Sequence, residues 1–397
     1  MYDLQKLKDA IKFNTVEILP SNEQQLDAEL QVLIVQSNQS KQEIRHYIGF
    51  EISGQIHLGT GIVTALKIKK LQEAGVKCTI WLANYHTWLN NKLDGQMETI
   101  HRVAEQYFKP IFIECCRVVG CNVDQIDFLD ANSEYFRGDS KGQRYLDYMI
   151  KAARNLSLSR VNKSVTVAGK KEGESVEFGI LCYPVMQVAD AFFLQSHLVH
   201  AGLDQRKCHV LMREIAPSMN EDFGIKIGQA NIKPIAIHHK LLLSLGVSAN
   251  DVQNRMTADI TEDLKMSKSK PDSAVWVHDS FEEISRKLKK AYCPIPKQDQ
   301  SLEEIEQEQT YNPILNWCEN LIYPAGKHVF VNRPEKFGGD KEYTSYSELK
   351  KDYFASNLHP LDLKNGVART LANWFEPIYQ YAQNNPKGLE LVKNIKK

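Results

Sequence analysis

The most informative segment of the chain for its fold is HYIGFEISGQIHLGTGIVTALKIKKLQEAGVKCTIWLAN, residues 46–84. Residues 46–54 predict a short strand that runs into a polar, glycine-containing turn. Residues 57–75 place apolar side chains at helical spacing and end at Gly75, which is typical of a helix C-terminus. The near-continuous apolar run at residues 76–84 predicts a buried strand. Strand, helix and strand in this order indicate the βαβ unit of a parallel sheet of the nucleotide-binding type.

The composition is that of a globular chain with room for two or three domains. The chain has 397 residues, of which 43% are hydrophobic and 25% charged, with 49 basic and 49 acidic side chains. Zero net charge argues against a protein that coats polyanions, so any nucleic acid has to be met by a local patch or groove. No apolar run approaches the roughly 20 residues that span a bilayer, and the N-terminus lacks the apolar core of a signal peptide. We therefore expect a cytoplasmic protein with no membrane partner.

The cysteine pattern predicts reduced, mostly buried thiols. The eight cysteines include no CxxC pair and form no regular framework. Zinc binding by Cys115, Cys116 and Cys121 is the alternative, but their spacing differs from that of the usual zinc sites. We expect no tightly bound metal held by protein ligands.

The chain is predicted to fold as an α/β protein in three parts. Residues 1–45 have a charged, helical pattern and are expected to form an N-terminal helical appendage. Residues 46–278 are expected to form a Rossmann-type domain with a parallel sheet and a helical connective insertion at about 97–180. Residues 279–397 are helix-rich and predict a mainly α-helical C-terminal domain.

Three further elements are predicted within the middle part. Residues 121–130 predict a strand followed by a turn, and residues 207–216 predict a helix. The run at 181–194 predicts a buried helix, since only Gln187 and Asp190 interrupt an otherwise apolar surface.

The junction between the first strand and its helix is a candidate phosphate site. Gly54, Gly59 and Gly61 let the backbone approach a ligand closely, and the helix N-terminus beyond them offers unpaired N–H groups. His57 can hydrogen-bond to phosphate or ribose. A glycine-rich turn with a histidine bonded inside the protein is the alternative at this point.

The second candidate phosphate site is KMSKS, residues 265–269. Lys265 and Lys268, with Ser267 and Ser269, can bind the β- and γ-phosphates of a nucleotide through charge-assisted hydrogen bonds. Taken alone, such a string is most often a solvent-exposed loop. On a βαβ background, the two elements together predict a site that closes over ATP from two sides.

The two motifs resemble the signatures of the class I aminoacyl-tRNA synthetases. HLGT at residues 57–60 is similar to the HIGH signature, and residues 265–269 carry the complete KMSKS signature. The similarity to the tyrosyl-tRNA synthetases of the archaeal and eukaryotic cytosolic type extends over nearly the whole chain apart from its two ends. The segments that carry it are YIGFEISGQIHLG, YPVMQVADAFFL, GLDQRKCHVLMRE, RPEKFGGD and HPLDLKN.

The resemblance implies a two-step reaction of L-tyrosine, Mg²⁺-bound ATP and tRNA(Tyr), carried out by a homodimer. The tyrosine carboxylate attacks the α-phosphate of ATP, and the terminal adenosine hydroxyl of the tRNA then attacks the tyrosyl-adenylate. Positioning and cations near the leaving pyrophosphate would supply the catalysis. The resemblance assigns catalysis to His57, Thr60, Lys265 and Lys268, and ATP binding to Gly49, Gly59, His57, Lys265, Ser267 and Lys268.

The residue types also predict a pocket for tyrosine. Tyr47 and Asp190 can hold the phenolic hydroxyl, and the spacing of Tyr183, Gln187 and Asp190 places them on one helical face. Oxygens of Tyr183, Gln187 and Gln205 can accept from the substrate ammonium group, and Glu51 is expected to line the adenylate site. The alternative is that these are ordinary residues of an amphipathic helix. Because an unpaired buried carboxylate is costly, the substrate hydroxyl is expected to be the missing partner of Asp190.

The tRNA side is predicted mainly from the resemblance. Phe337 could stack on an anticodon base, and His359 and Asp362 could bond base edges. The alternative for the last two is a helix N-terminus, since Pro360 and an early acidic residue are typical of one.

Basic residues of the middle part are the second tRNA prediction. Arg206 and Lys207 are expected to meet the acceptor end, with an ordinary solvated face as the alternative. The basic stretch 137–171 is expected to support that contact and to contribute to a homodimer interface.

Two departures from the family pattern predict slower activation at most. Thr60 stands where the family usually has a second histidine, and Ile52 stands where proline is common.

The nearest alternative function is that of a tryptophanyl-tRNA synthetase, which shares the architecture. A nucleotidylyl transferase that needs no tRNA and a non-catalytic RNA-binding protein are more distant alternatives.

Overall fold

The computed structural model describes residues 1–137, 144–171, 173–220, 222–248, 264, 266, 271–297 and 300–395. Within these ranges the strands are β1 (Thr15–Leu19), β2 (Arg45–Phe50), β3 (Lys77–Leu82), β4 (Ile126–Asp130), β5 (Leu198–Gly202), β6 (Ile225–Ile227), β7 (Ala230–Ile232), β8 (Ile235–His239), β9 (Val329–Val331) and β10 (Lys341–Tyr343).

The helices within the same ranges run from the N-terminus to the C-terminal segment. They are α1 (Leu4–Lys12), α2 (Glu23–Ser40), α3 (Thr64–Glu73), α4 (Asn84–Leu89), α5 (Met97–Val103), α6 (Lys109–Val119), α7 (Ala131–Arg137), α8 (Tyr145–Arg154), α9 (Leu158–Ser164), α10 (Phe178–Phe193), α11 (Arg206–Met219), α12 (Phe281–Lys290), α13 (Leu302–Gln309), α14 (Pro313–Trp317), α15 (Tyr346–Phe354), α16 (Pro360–Asn384) and α17 (Pro386–Asn394). Short π-helical turns at Gly59–Val63, Ala104–Phe108 and Cys318–Ile322 join some of them.

A six-stranded sheet in the order β1-β8-β5-β2-β3-β4 forms the centre of the molecule. β2 pairs in parallel with β3 from Arg45 opposite Lys77 to Phe50 opposite Leu82, and with β5 on its other side. The predicted α/β class and its βαβ unit are therefore confirmed. The chain passes from β2 to β3 and β4 on one side of the sheet and from β5 to β8 on the other, so the connections diverge between β2 and β5. Such a switch point leaves a crevice at the carboxyl ends of the strands.

The other elements predicted in the middle part are also present. β4 lies within the predicted strand region, and the buried helix and the second helix are α10 and α11. None of the helices in the described ranges combines the length and the apolarity that crossing a bilayer requires.

The N-terminal residues contain a strand that the helical prediction for 1–45 missed. β1 joins the central sheet as its antiparallel edge, paired with β8 and interrupted by a register shift between Thr15 and Glu17. Side chains of α1 and α2, such as Leu7 and Leu30, are fully buried in the main hydrophobic core. The segment is thus packed into the sheet domain, because its apolar side chains cover the end of the core beside β8.

A buried lysine fastens this N-terminal segment to α3. Lys67 is only 1% exposed. Its ammonium group donates to the carbonyl oxygens of Ala10 (3.1 Å), Ile11 (2.8 Å) and Phe13, and to Thr15 Oγ1 at 2.8 Å. These carbonyls lie at the end of α1, where a helix has no internal donors for them, so Lys67 acts as the C-terminal cap of α1.

The C-terminal helices pack on the sheet domain through α6. α16 lies against α12, β9 and α6, and the indole of Trp374 donates to the carbonyl oxygen of Val118 at 3.2 Å. α17 packs on the π-helical turn that precedes α6. The predicted domain boundary near residue 278 falls just before α12 and stays a prediction.

Replacing Lys67 with methionine should lower the free energy of unfolding by about 2–3 kcal/mol, because several buried carbonyl groups would lose their donor. Urea unfolding followed by circular dichroism measures the change. Lys69→Met, on a partly exposed position of the same helix, is the matched control and should change stability by less than about 0.5 kcal/mol. Equal losses in the two variants would contradict the capping role.

Candidate active site

A cavity of about 820 Å³ opens at the carboxyl ends of β2, β5 and β8, at the switch point of the sheet. The predicted catalytic, tyrosine-binding and ATP-binding residues that the structure describes all line this one cavity: Tyr47, Gly49, Glu51, His57, Gly59, Thr60, Tyr183, Gln187, Asp190 and Gln205. The fold thus brings together residues that are more than a hundred positions apart in sequence.

The HIGH-like turn forms one side of the cavity. His57 Nδ1 accepts from the backbone N–H of Thr60 at 3.3 Å, and the Thr60 hydroxyl lies 3.2 Å from His57 Nε2. Thr60, in place of the family's second histidine, therefore orients the imidazole ring of His57. A side chain at Gly59 would come within 3.1 Å of the same ring.

Gly61 has a different role from the one predicted for it. A Cβ atom there would lie 2.9 Å from Cys115 Sγ and 2.9 Å from a methyl group of Val277. The residue permits close packing of protein segments on each other, so the expectation that it serves close approach of a ligand is wrong.

The predicted phosphate-binding residues Lys265, Ser267 and Lys268, with Ser269, lie outside the described residues. Met266, in the same motif, is described: it is buried and lines the cavity. The chain that follows the motif pairs with the HIGH-like turn. Leu58 N–H donates to Val275 O at 3.2 Å, and Val277 N–H donates to Ile56 O at 3.0 Å.

Asp190 lies at the wall of the cavity and is 1% exposed. The hydroxyl groups of Tyr135 and Tyr145 donate to its Oδ1 atom at 2.9 and 2.8 Å, and Oδ2 is 3.9 Å from Nε2 of His86. Burial raises the pKa of Asp190 to about 7, although the hydrogen bonds from Tyr145 and Tyr135 oppose the rise. The protein supplies donors of its own to this carboxylate, so Asp190 is not left unpaired without a substrate, and its contact with the substrate hydroxyl stays a prediction.

Tyr47, on β2, lines the same cavity and lies close enough to Asp190 to be influenced by its charge. It is 3% exposed, and both burial and the charge of Asp190 raise the pKa of its hydroxyl well above the ordinary value. The phenol is therefore neutral at any physiological pH and can both donate and accept a hydrogen bond.

A further part of the cavity wall presents hydrogen-bond acceptors. Gln187 Nε2 donates to Gln205 Oε1 at 3.2 Å, while the buried Oε1 atom of Gln187 has no partner among the described residues. Burial and the neighbouring Glu51 carboxylate raise the pKa of Tyr183. Asn90 fixes Glu51 by donating to Oε1 at 2.6 Å. An unpartnered amide oxygen beside a carboxylate suits an ammonium group.

Several residues of the site were not predicted from the sequence. Tyr135, Tyr145, His86 and Asn90 lie next to predicted residues only through tertiary packing, and the sequence carries no signal for them. Trp81, which also lines the cavity, lies near the carboxyl end of β3 and could have been identified from that position.

Two buried histidine pairs lie at the cavity, and three of the four residues, His200, His209 and His239, line it. His239 Nδ1 lies 2.8 Å from His200 Nε2, and His209 Nδ1 lies 2.9 Å from His238 Nε2. Burial lowers the pKa of all four imidazoles, that of His239 to about 4, so they are uncharged at neutral pH.

The predicted acceptor-end residues lie outside the cavity. Arg206 Nε is 2.8 Å from both carboxylate oxygens of Glu17 on β1, so part of its charge is already paired within the protein. The neighbouring Lys207 is exposed.

The predicted anticodon residues lie on the C-terminal helical part. Phe337 is 62% exposed, with the Lys336 ammonium group 4.9 Å from the centre of its ring. His359 caps α16, its Nδ1 atom accepting from Leu361 N–H at 3.1 Å, and Asp362 lies in the first turn. The interpretation of this segment as a helix N-terminus is thus confirmed.

The cysteines considered for zinc are placed in the core. Cys115 and Cys116 are fully buried in α6, and Cys121 donates to the carbonyl oxygen of Ala65 at 3.3 Å. No group of three or more His, Cys, Asp or Glu side chains suited to a metal ion occurs in the part of the chain that the structure describes.

The similarity of this chain to a known protein family covers far more of the sequence than the residues of the cavity. The family model described as tRNA synthetases class I (W and Y) matches residues 39–376. The tyrosine–tRNA ligase of Pyrococcus furiosus is 43% identical over 355 residues, which cover 89% of this chain and 90% of that protein.

Solved structures separate the two amino-acid types within this family. Tyrosyl-tRNA synthetase from Pyrococcus horikoshii, solved in complex with L-tyrosine, is similar with a TM-score of 0.85 and 39% identity, covering 99% of this chain and 100% of that one. Tryptophanyl-tRNA synthetase from Aeropyrum pernix has a TM-score of 0.60 but only 15% identity, covering 94% and 85% of the two chains. That second likeness shows the fold alone. The chain belongs to the class I aminoacyl-tRNA synthetases of the tryptophan and tyrosine group, and within it to the tyrosine–tRNA ligases.

Proposed function

We propose that this enzyme activates L-tyrosine with ATP and transfers it to tRNA(Tyr). The observation that carries the proposal is the placement of Asp190 and Tyr47 at one part of the cavity that the HIGH-like turn also lines. A carboxylate and a phenol together match a substrate that ends in an aromatic hydroxyl. The high identity to tyrosine–tRNA ligases over nearly the whole chain supports the same substrate.

The ring of the tyrosine substrate would lie between the part of the cavity lined by Asp190 and Tyr47 and the part lined by Gln205. Its hydroxyl would donate to Asp190 and exchange a hydrogen bond with Tyr47. Its ammonium group would bond the free Oε1 atom of Gln187, with Tyr183 and Gln205 beside it. Bonds at both ends of the substrate orient its α-carboxylate, which lies beside the ammonium group, for attack on ATP.

The HIGH-like turn and the KMSKS motif would hold ATP on the other side. His57, steadied by Thr60, would contact the phosphates, and Gly49 and Gly59 would leave room for the nucleotide. Lys265, Ser267 and Lys268 would offset the charge that develops as pyrophosphate leaves the α-phosphorus. ATP would bind as its Mg²⁺ complex. We propose no side chain of this protein as a ligand of the Mg²⁺ ion.

The tRNA would contact two parts of the chain. Arg206 and Lys207 are proposed to meet the acceptor end, whose terminal hydroxyl attacks the adenylate. Phe337, His359 and Asp362 are proposed to read the anticodon, and Phe337 has the exposure that stacking on a base requires. Residues 46–278 would then serve catalysis and residues 279–397 anticodon binding. Because aminoacylation supplies translation, we place the enzyme in the cytoplasm.

A homodimer is also part of the proposal. Helices α7, α8 and α10 pack against one another, and they and the adjacent α9 expose large apolar side chains. These are Phe136, Leu146, Ile150, Leu158 and Phe178. Several exposed apolar side chains on neighbouring elements are typical of a surface that another chain covers. A second copy is the occupant that the family resemblance implies.

Purified enzyme should catalyse ATP–pyrophosphate exchange with tyrosine and charge tRNA with tyrosine. Asp190→Ala should lower the ratio of kcat/KM for tyrosine over phenylalanine by about tenfold or more, because the variant loses an acceptor that only the phenol uses. Strong rejection of phenylalanine is itself the known behaviour of this family. Asp124→Ala, at an exposed position, is the control and should keep the ratio.

Three outcomes would contradict the proposal. Exchange with tryptophan but not tyrosine would indicate the tryptophanyl alternative. Exchange without charging of any tRNA would indicate a nucleotidylyl transferase. Unchanged selectivity in Asp190→Ala would remove Asp190 from substrate recognition.

The raised pKa of Asp190 predicts a pH-dependent cost in stability. The folded protein holds the proton of this carboxyl more tightly than the unfolded chain, so ionisation destabilises the fold as pH rises from about 4 to about 7. Asp190→Asn removes the titrating group and should exceed the wild type in free energy of unfolding at pH 8, by at most about 4 kcal/mol. Urea unfolding at pH 5 and pH 8 measures this gain, which should be smaller at pH 5. An equal gain at both values would contradict the explanation.

Ile150→Glu should convert the dimer to a monomer, since Ile150 is 58% exposed in the single chain and a buried glutamate would be costly in the interface. Sedimentation velocity measures the mass of the particle. Leu302→Glu, at a similarly exposed apolar position on α13, is the control and should remain dimeric. A monomeric wild type, or a dimeric Ile150→Glu variant, would contradict the proposed surface.

A further inference from the structure

We infer that Tyr135 is a positioning residue for amino-acid selection, which holds Asp190 in its charged form from behind the cavity. This inference rests on the proposed function and deepens it, since it concerns how the same site tells tyrosine from phenylalanine. Tyr135 acts through Asp190 and does not itself line the cavity.

The contacts divide the two oxygens of the carboxylate. Oδ1 accepts from the hydroxyls of Tyr135 at 2.9 Å and Tyr145 at 2.8 Å. Asp190 lines the cavity, whereas neither of these tyrosines does. With Oδ1 occupied from the protein side, Oδ2 is the oxygen left to accept from a substrate hydroxyl.

The two donors are not equivalent. The hydroxyl of Tyr145 lies 3.1 Å from the carbonyl oxygen of Met186 as well as 2.8 Å from Asp190, so its single proton is shared between two acceptors. The bond from Tyr135 goes to the carboxylate from another element, α7. The rings of the two tyrosines stack with their centres 3.5 Å apart, which fixes both hydroxyls relative to Asp190.

Charge on Asp190 is what makes the selection strict. A site that leaves one oxygen of an ionised carboxylate without a donor when phenylalanine binds loses more than a site that does the same to a neutral acid. Burial favours the neutral acid and brings the pKa of Asp190 to about 7, close to the working pH. Hydrogen bonds to the charged form oppose that shift.

The titratable groups that face Asp190 come from four elements. They are Tyr47 on β2, His86 on α4, Tyr135 on α7 and Tyr145 on α8. Burial lowers the pKa of His86 to about 4, so it brings no positive charge at neutral pH. The hydroxyls of Tyr135 and Tyr145 are therefore the groups among these four that stabilise the carboxylate by hydrogen bonds, and loss of one should raise the pKa of Asp190 further.

Tyr135→Phe tests the inference, because it removes only the hydroxyl. The measurement is kcat/KM for tyrosine and for phenylalanine in ATP–pyrophosphate exchange, from pH 6 to pH 9. At pH 7 the ratio of the two should fall roughly ten- to a hundredfold. It should recover toward the wild-type ratio at pH 9, where Asp190 is ionised again, so the midpoint of the pH profile moves to higher pH.

Tyr148→Phe is the matched control. Tyr148 is a buried tyrosine of α8 whose ring packs on Phe193 and Phe223, and its loss of a hydroxyl should leave the midpoint unchanged. Tyr145→Phe is a second variant that should move the midpoint in the same direction as Tyr135→Phe, and it decides the question if Tyr135→Phe does not fold.

A purely structural role of Tyr135 would lower the activity with both amino acids at every pH and leave the midpoint in place. That result, or a wild-type ratio in Tyr135→Phe, would overturn the inference while wild-type exchange with tyrosine left the proposed function intact. Absence of tyrosine-dependent exchange in the wild type would overturn the proposed function and the inference together.

Discussion

Parallel pairing of β2 with β3 on one side and β5 on the other is the constraint on which the site depends. The chain reaches β5 only after the long helical insertion, so no connection crosses the carboxyl ends of β2 and β5. The crevice left there is bounded by β2, which carries Tyr47, and by α10, which carries Tyr183, Gln187 and Asp190 and leads into β5. The shape of the pocket thus follows from the order of the strands before any side chain is considered.

Within that crevice, the buried charge of Asp190 lowers the stability of the fold but serves selection of the amino acid. A carboxylate that is only 1% exposed would be strongly unfavourable in an ordinary core. Here the hydroxyls of two tyrosines donate hydrogen bonds to it from the protein side. The arrangement leaves one oxygen facing the cavity without full solvation. Stability and recognition therefore oppose each other at a single side chain, as they often do in active sites.

The sequence predicted those parts of the fold that depend on local pattern. Apolar periodicity located β2, α3, β3, α10 and α11, and helical spacing placed Gln187 and Asp190 on one face. It missed β1, because the pairing of that strand with β8 is a contact between distant segments. It missed Tyr135 and Tyr145 for the same reason: nothing in residues 131–154 indicates that two hydroxyls converge on a carboxylate of α10. For Lys265 and Lys268, which lie outside the described residues, the sequence motif carries the whole argument.

The edge strand β1 has a consequence for behaviour in solution. An open sheet edge offers unpaired N–H and C=O groups to any other extended chain. Because β1 has only five residues, the edge that it presents is short. The register shift between Thr15 and Glu17 disturbs its straight run of donors and acceptors, and Glu17 adds a charge that is held by Arg206. A chain that lacked its first twenty or so residues would instead expose β8, a strand buried along its whole length, and would be prone to aggregate.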